Sequence, residues 1–277
     1  MIRKAVKEDL RRIAGIDRES AKEIRYHEDV IPETVLVSEF GARLAGVGYI
    51  LRAQGPFFHL VVRVGSRSRH AADAADELFS ALTGWFGTCR KRKASGPRPI
   101  LRLWCRDFED AYRAFLEEYG FQAKDRMFVM ERTLDGEGER KEADVREVPL
   151  KDPEAMRAYI RLTEDAYGYA DRAEEMCYRT AKAKGRVFAL YREGTPVSFV
   201  TVWPFSEGTY ATENVFTVRE ARRKGYSETL LLEIADRLKK EGAKRLRLTV
   251  YANDEPAIRL YRKIGYRTAY ELIEYHL

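Results

Sequence analysis

The chain has 277 residues, 45% hydrophobic and 12% aromatic, which suits two compact domains with packed cores and excludes wholesale disorder. No apolar run approaches the roughly 18 to 20 residues of a membrane helix, and the opening MIRKAVKEDL has no apolar stretch that would make a secretory signal. The net charge of +6 favours an anionic ligand without demanding nucleic acid. Three scattered cysteines, Cys89, Cys105 and Cys177, and four histidines with no i, i+4 pair give neither a disulfide framework nor a metal site, so we expect no metal and a cytoplasmic setting.

In chain order, Ile2-Arg3 opens a short strand before a charged helix. Residues 89–98 are polar and basic and read as a solvated or binding loop. Residues 100–105 are β-rich, 111–119 form a helix closed by Gly120-Phe121, and 126–133 form a last strand. Residues 135–142 are polar, contain glycine and lack an apolar period, which predicts a linker. The second half repeats the first at an offset of 145 residues: Gly265-Tyr266 answers Gly120-Phe121, and 245–250 answers 100–105. It opens on a strand at Val145-Arg146 and a charged helix. Strands at 187–191 and 196–203 follow, joined by Arg192-Glu193-Gly194-Thr195, then a third at 210–218. A helix at 227–241, a strand at 245–250, a helix at 256–264 and a last strand at 268–276 complete it.

Between the third strand and the long helix lies Arg222-Arg223-Lys224-Gly225-Tyr226-Ser227. A helix start offers unpaired N–H groups and a positive dipole end, and a glycine lets an anion approach the backbone. The loop therefore reads as a pyrophosphate site, although Gly225 stands alone and fits neither a Walker loop nor the dinucleotide fingerprint. This hexapeptide resembles the [Arg/Gln]-x-x-Gly-x-[Gly/Ala/Ser] loop of the GNAT superfamily of acyl-CoA N-acyltransferases. Residues 256–266, PAIRLYRKIGY, resemble that family's later Ala-x-x-Leu-Tyr-x-x-x-Gly-Phe helix. The resemblance covers residues from about 143 to the end. One departure is that Asp254-Glu255 precede Pro256-Ala257 where the family often has Asn-x, with Asn253 displaced by one. Asp254 then reads as a helix cap.

The resemblance implies an α/β fold of two GNAT-like domains, 1–134 and 143–277, each a mixed, mostly antiparallel sheet flanked by helices. It implies acetyl-CoA as co-substrate, with its pyrophosphate on the loop of Arg222, Arg223, Lys224, Gly225, Tyr226 and Ser227. The pantetheine would lie between splayed strands near the backbone of Phe216 and Val218. Tyr261 matches the family tyrosine that protonates the leaving thiolate; it also fits a core position beside Ile258 and Ile264. Glu213 stands where some members carry a base, and strand alternation places it with Val215 and Thr217; a water chain would serve as well. Tyr167, Tyr169, Tyr178, Trp203, Phe205 and Tyr210 fall on elements that line the acceptor side in the family, where they would bind an amine or simply pack.

In the first half the loop has decayed. Aligning Val64 on Val218 puts Ser68, Ala71 and Asp73 in place of Arg222, Gly225 and Ser227, and Leu116 takes the place of Tyr261. Arg67, Arg69 and His70 would hold an anion or serve as surface charge. The expectation is a degenerate copy followed by a domain that moves an acetyl group from acetyl-CoA to a primary amine of a small molecule or peptide. The alternative is an acyl-CoA sensor of the same fold without catalysis. No membrane or nucleic-acid partner is expected, and oligomerisation is open.

Overall fold

The structure is a computed structural model and describes residues 1–53, 56–65, 68–92, 97–135, 143–167 and 184–277. Arg67, Tyr169, Cys177, Tyr178 and residues 136–142 of the expected linker lie outside the described residues. The chain divides into two compact units, Met1–Asp125 with Ile273–Leu277, and Arg126–Leu272.

The first unit runs β1 (Ile2–Lys4), α1 (Leu10–Ile16), α2 (Arg18–Tyr26), β2 (Leu36–Phe40), β3 (Arg43–Arg52), β4 (Phe57–Val64), α3 (Ala71–Arg92), β5 (Ile100–Arg106) and α4 (Asp110–Glu118). Strands β1 to β4 form an antiparallel meander and β5 joins β4 in parallel. Gly46 and Gly48 on β3 let α3 sit close, since a Cβ there would lie 2.9 and 2.8 Å from Leu78 and Leu82. That face buries Ile50, Leu60, Phe79, Leu82, Leu101 and Leu116. On the other face, Ile13 packs on Val37, Val47 and Tyr49. Arg3 binds both Asp9 (2.6 and 2.8 Å) and Glu39 (2.8 Å to each oxygen). The Arg3 hydrogen bonds hold the buried Asp9 carboxyl down at about 2. The basic segment 89–98 does not begin as a loop: Cys89–Arg92 continue α3.

The second unit runs β6 (Gln122–Thr133, from Arg126), β7 (Val145–Glu147), α5 (Pro153–Tyr167), β8 (Arg186–Arg192), β9 (Thr195–Ser206), β10 (Thr209–Thr217), α6 (Tyr226–Lys240), β11 (Arg245–Tyr251), α7 (Glu255–Lys263) and β12 (Arg267–His276, to Leu272). Its strand order is β12-β6-β11-β10-β9-β8-β7. Only β10 and β11 are parallel among the registered pairs here. The β8–β9 turn uses Glu193 (φ 50) and Gly194 (φ 78), the positive-φ pair that suits a two-residue hairpin. Asp254 caps α7 by accepting from the Ala257 N–H at 3.1 Å. Helix α6 buries Leu230, Leu231, Ile234 and Leu238 against Val200, Val202, Leu246 and Leu248.

The last strand of each half behaves differently from the repeat's expectation. β6 pairs with β11 over seven residues, from Arg245↔Thr133 to Tyr251↔Met127. The end of β12 joins the first unit, where Leu277 exchanges backbone hydrogen bonds of 3.4 and 2.9 Å with Leu101 and Ile273 and Tyr275 enter the core. Alternation specifies a strand and its buried face but not which neighbour it pairs with, so the exchange is invisible in the local pattern.

Candidate functional site

The site grows from β10. It pairs with β11 only at Thr209↔Arg245, Tyr210↔Leu246 and Ala211↔Arg247. Beyond Ala211 the two strands part, while β11 goes on pairing with β6 as far as Tyr251. On its other edge β10 slips register against β9 between Glu213 and Phe216. The slip is a bulge built on Asn214, whose φ is 49, a left-handed conformation that asparagine tolerates better than most residues. The bulge reverses the alternation. Glu213 faces the α5 side with Thr201, its cross-strand partner, whose hydroxyl lies 3.2 Å from that of Tyr159. Val215 packs into the α6-side core and Thr217 reaches Ser227 of α6. Glu213 therefore does not share a face with Val215 and Thr217, because the expectation assumed an unbroken strand.

Phe216 and Val218 turn their backbones toward β9. The Phe216 carbonyl accepts from Ser198 Oγ at 3.0 Å and the Val218 N–H donates to Val197 O at 3.0 Å. With these groups committed, alternation leaves the backbone of Thr217 facing the gap toward β11. The Phe216 ring is buried, stacked 4.8 Å from Phe199.

The loop after β10 makes a turn at 219–221 and then a basic stretch in which Arg222, Arg223, Lys224 and Gly225 are all exposed. Arg223 (φ 63) and Gly225 (φ 78) are both left-handed, an alternation that gathers successive N–H groups into an anion-binding concavity. Gly225 is the N-cap of α6 and no side chain caps that end, so the first-turn N–H groups keep no intrahelical acceptor. A Cβ on Gly225 would meet no protein atom within 4 Å, so backbone conformation rather than packing demands the glycine. Arg222 folds back to donate from Nε to Thr217 O at 3.1 Å. Arg192 lies 5.3 Å from the Tyr226 ring centre. The Ser227 hydroxyl ties α6 to the sheet through Thr217 (2.7 Å) and Ser198 (3.4 Å). A cavity of about 300 Å³ runs beside this loop between Leu162 and Ala166 of α5 and Val218, Arg219 and Arg222.

Tyr261 projects from α7 into the core and is 8% exposed. Burial pushes its phenol well above the ordinary tyrosine value, and Tyr266 and Tyr167 push the same way. The Tyr167 hydroxyl donates to the Val215 carbonyl at the bulge, 3.3 Å away, and its ring meets Phe216 edge-on at 5.7 Å. Glu213 is open to solvent, yet it sits in a recess crowded enough that desolvation raises its carboxyl pKa against a hydrogen bond with Trp203 that lowers it. The aromatics Trp203 and Phe205 stand at the same end of β9, Phe205 being 56% exposed. Sequence reasoning missed the Asn214 bulge and the Ser198–Thr217–Ser227 hydroxyl cluster. An asparagine inside a strand, where it is disfavoured, was the available signal for the first; the second is a tertiary contact.

The first unit lacks these features at the matching place. β4 and β5 also pair for only three residues, Phe57↔Ile100 to His59↔Arg102, but β4 keeps an unbroken register with β3. His70, before α3, stacks on Phe40 at 4.2 Å and faces Asp73 at 3.5 Å, and Arg69 Nε donates to its Nε2. Leu116 is fully buried. Among the described residues no three His, Cys, Asp or Glu side chains are grouped to hold a metal ion, and no helix is long and apolar enough to cross a membrane.

Residues 153–266 match the sequence model of the acetyltransferase (GNAT) family. No curated protein matches the chain. A GCN5-related N-acetyltransferase from Sphaerobacter thermophilus superposes with a TM-score of 0.77 at 17% identity, over 100% of this chain and 95% of its own. An acetyltransferase of the GNAT family from Colwellia psychrerythraea gives 0.66 at 11% identity, over 100% and 99%. A tandem GNAT protein from the clavulanic acid biosynthesis pathway gives 0.66 at 11% identity, over 97% and 92%. At these identities the likeness is one of fold, and the fold is the α/β GNAT fold.

Proposed function

Taking the GNAT acetyltransferase match over residues 153–266 as the premise, we propose that the second unit is an acyl-CoA-dependent N-acyltransferase that moves an acetyl group from acetyl-CoA to a primary amine. The observation that carries this reading is a coincidence at one strand end: the gap between β10 and β11 opens beside a helix start whose Arg223 and Gly225 are left-handed. The bound acetyl-CoA supplies a thioester open to direct attack by an amine. The N–H groups of 223–227 receive its pyrophosphate, with Arg223 and Lys224 adding charge and Gly225 leaving the approach open. The Thr217 N–H faces the gap side, where it would serve the pantetheine, while the Thr217 carbonyl is held by Arg222. Glu213, exposed and raised in pKa, takes the proton of the attacking ammonium. Tyr261 protonates the departing thiolate; its buried phenol has no hydrogen-bond partner among the described residues.

In this reading residues 1–134 are a copy without a working site and 143–277 carry the chemistry, joined through 135–142. The unbroken β4, His70 at the start of α3 and Leu116 in place of the tyrosine support it. Calorimetry with acetyl-CoA on the full chain tests the proposal. We expect about one site per chain, abolished by Gly225→Glu. Two equivalent sites, or binding that survives the substitution, would overturn it.

A further inference from the structure

This inference rests on the transferase reading and concerns the amine that the site accepts. On the face of the second unit's sheet that carries Glu213, four strands contribute one residue each to a row. Trp203 of β9 lies opposite Ala211 of β10, Ala211 opposite Arg247 of β11, and Arg247 opposite Glu131 of β6. The small side chain of Ala211 stands between Trp203 and Arg247 in this row. The Arg247 guanidinium is fixed by aromatic rings, 4.5 Å from the Phe205 centroid and 5.5 Å from that of Tyr270, and it donates to the Tyr270 hydroxyl. Such stacking fixes the plane of the fork while leaving its edge free.

That edge is poorly neutralised. Glu131 leans to Arg245 at 3.2 Å and stays 4.0 Å from Arg247, beyond hydrogen-bond distance. A guanidinium has five N–H donors, and among the described residues Arg247 gives one side-chain hydrogen bond, to Tyr270. Glu213 stands two residues beyond Ala211 on β10, on the same face of the sheet as Arg247 and just past the point where β10 and β11 part.

The first unit holds an arginine at the matching place, 145 residues earlier, in the opposite state. Arg102 is also stacked, 4.4 Å from the Phe57 centroid and 4.9 Å from that of Trp104. There the buried Glu274 meets it at 3.2 Å and His59 Nε2 lies 3.0 Å from Nη2. Where the active-site features are missing, the arginine is closed by a buried carboxylate at hydrogen-bond distance; where they are present, it has only a loose ion pair with Glu131 at 4.0 Å.

We propose that Arg247 is the specificity-determining residue for the acceptor, and that the acceptor is an amine that also carries a carboxylate group. The carboxylate pairs edge-on with the Arg247 fork, in the planar two-point geometry that guanidinium and carboxylate share, with Trp203 as a wall. The amine end then points along β10 toward Glu213.

The test uses the full chain saturated with CoA, titrated calorimetrically with amino carboxylates and with the corresponding amides, which keep the amine and lose the charge. The same pairs are assayed for thiol release from acetyl-CoA. We expect the carboxylate member to bind about tenfold or more tightly, with the difference lost in Arg247→Gln and partly kept in Arg247→Lys. Acetyl-CoA affinity and thermal midpoint should be unchanged in both variants, which shows that they fold. Equal binding of the two members by the wild-type protein, no binding of either, or a preference that survives Arg247→Gln would overturn the proposal. A preference that depends on Arg247 without thiol release from any amine would leave the carboxylate site standing and sink the transferase reading instead.

Discussion

The Tyr261 hydroxyl has no hydrogen-bond partner among the described residues, so removing it orphans no buried group. Tyr261→Phe should therefore change stability by no more than about 0.5 kcal/mol while lowering kcat by roughly 10²-fold or more, the range for lost acid–base help. Acetyl-CoA affinity should hold. Unchanged kcat with a lowered melting temperature would return Tyr261 to a packing role. Glu213 makes a different prediction, because its desolvated carboxyl titrates above the ordinary range. The acidic limb of a kcat/KM profile should rise as pH passes through that elevated value, and Glu213→Gln should flatten it. The sign for stability is opposite to that of an ion-paired carboxylate. The native state holds its proton to higher pH than the unfolded chain, so stability is fully present at low pH and falls as pH rises from the unfolded value of 4.5 through the folded one. Glu213→Gln should remove that fall, which a series of denaturant midpoints against pH would read.

Two short stretches of backbone decide the site. Gly225 is left-handed with open space at its missing Cβ, so Gly225→Ala should cost about 1 to 2 kcal/mol of stability from conformation alone and leave the fold intact. Asn214 is left-handed inside a strand, so Asn214→Val should be destabilised by a similar amount or straighten the bulge. A straightened strand turns Glu213 relative to Thr217, and the assay would show lost turnover with acetyl-CoA binding retained. These two stretches also mark how far the sequence reaches. The loop, α6, α7 and the hairpin at Glu193-Gly194 are written in local chemistry: a basic run, a cap, an apolar stripe and a glycine where φ must be positive. The bulge is not, because one asparagine among β-formers carries too weak a bias to displace an alternation. The resemblance puts the pantetheine near the backbone of Phe216 and Val218; that the Phe216 carbonyl and the Val218 N–H are committed to β9 follows from strand pairing, which local pattern does not reveal.

At the scale of the whole chain, the first unit contains a piece that lies far from it in sequence, Ile273–Leu277, and the second begins before the expected linker, with Arg126–Thr133. The halves read from the repeat therefore differ in their bounds from the compact units. A fragment of residues 143–277 lacks β6 and leaves β11 with an unpaired edge, so we expect it to aggregate. Removing residues 273–277 takes two buried side chains, Ile273 and Tyr275, from the first unit's core, a loss of several kcal/mol by the usual scale of large core deletions. Hydrogen exchange should show amides of α3 and β5 losing protection in that variant while acetyl-CoA still binds. The same topology sets an order of events at the ribosome. Chains ordinarily fold N-terminal domain first as they emerge, but here residues 1–125 must wait for residues 273–277 to be made. At common synthesis rates the first unit stays one strand short for on the order of ten seconds or more, with the β5 edge that Leu277 will later close open to chaperones or to a neighbouring nascent chain.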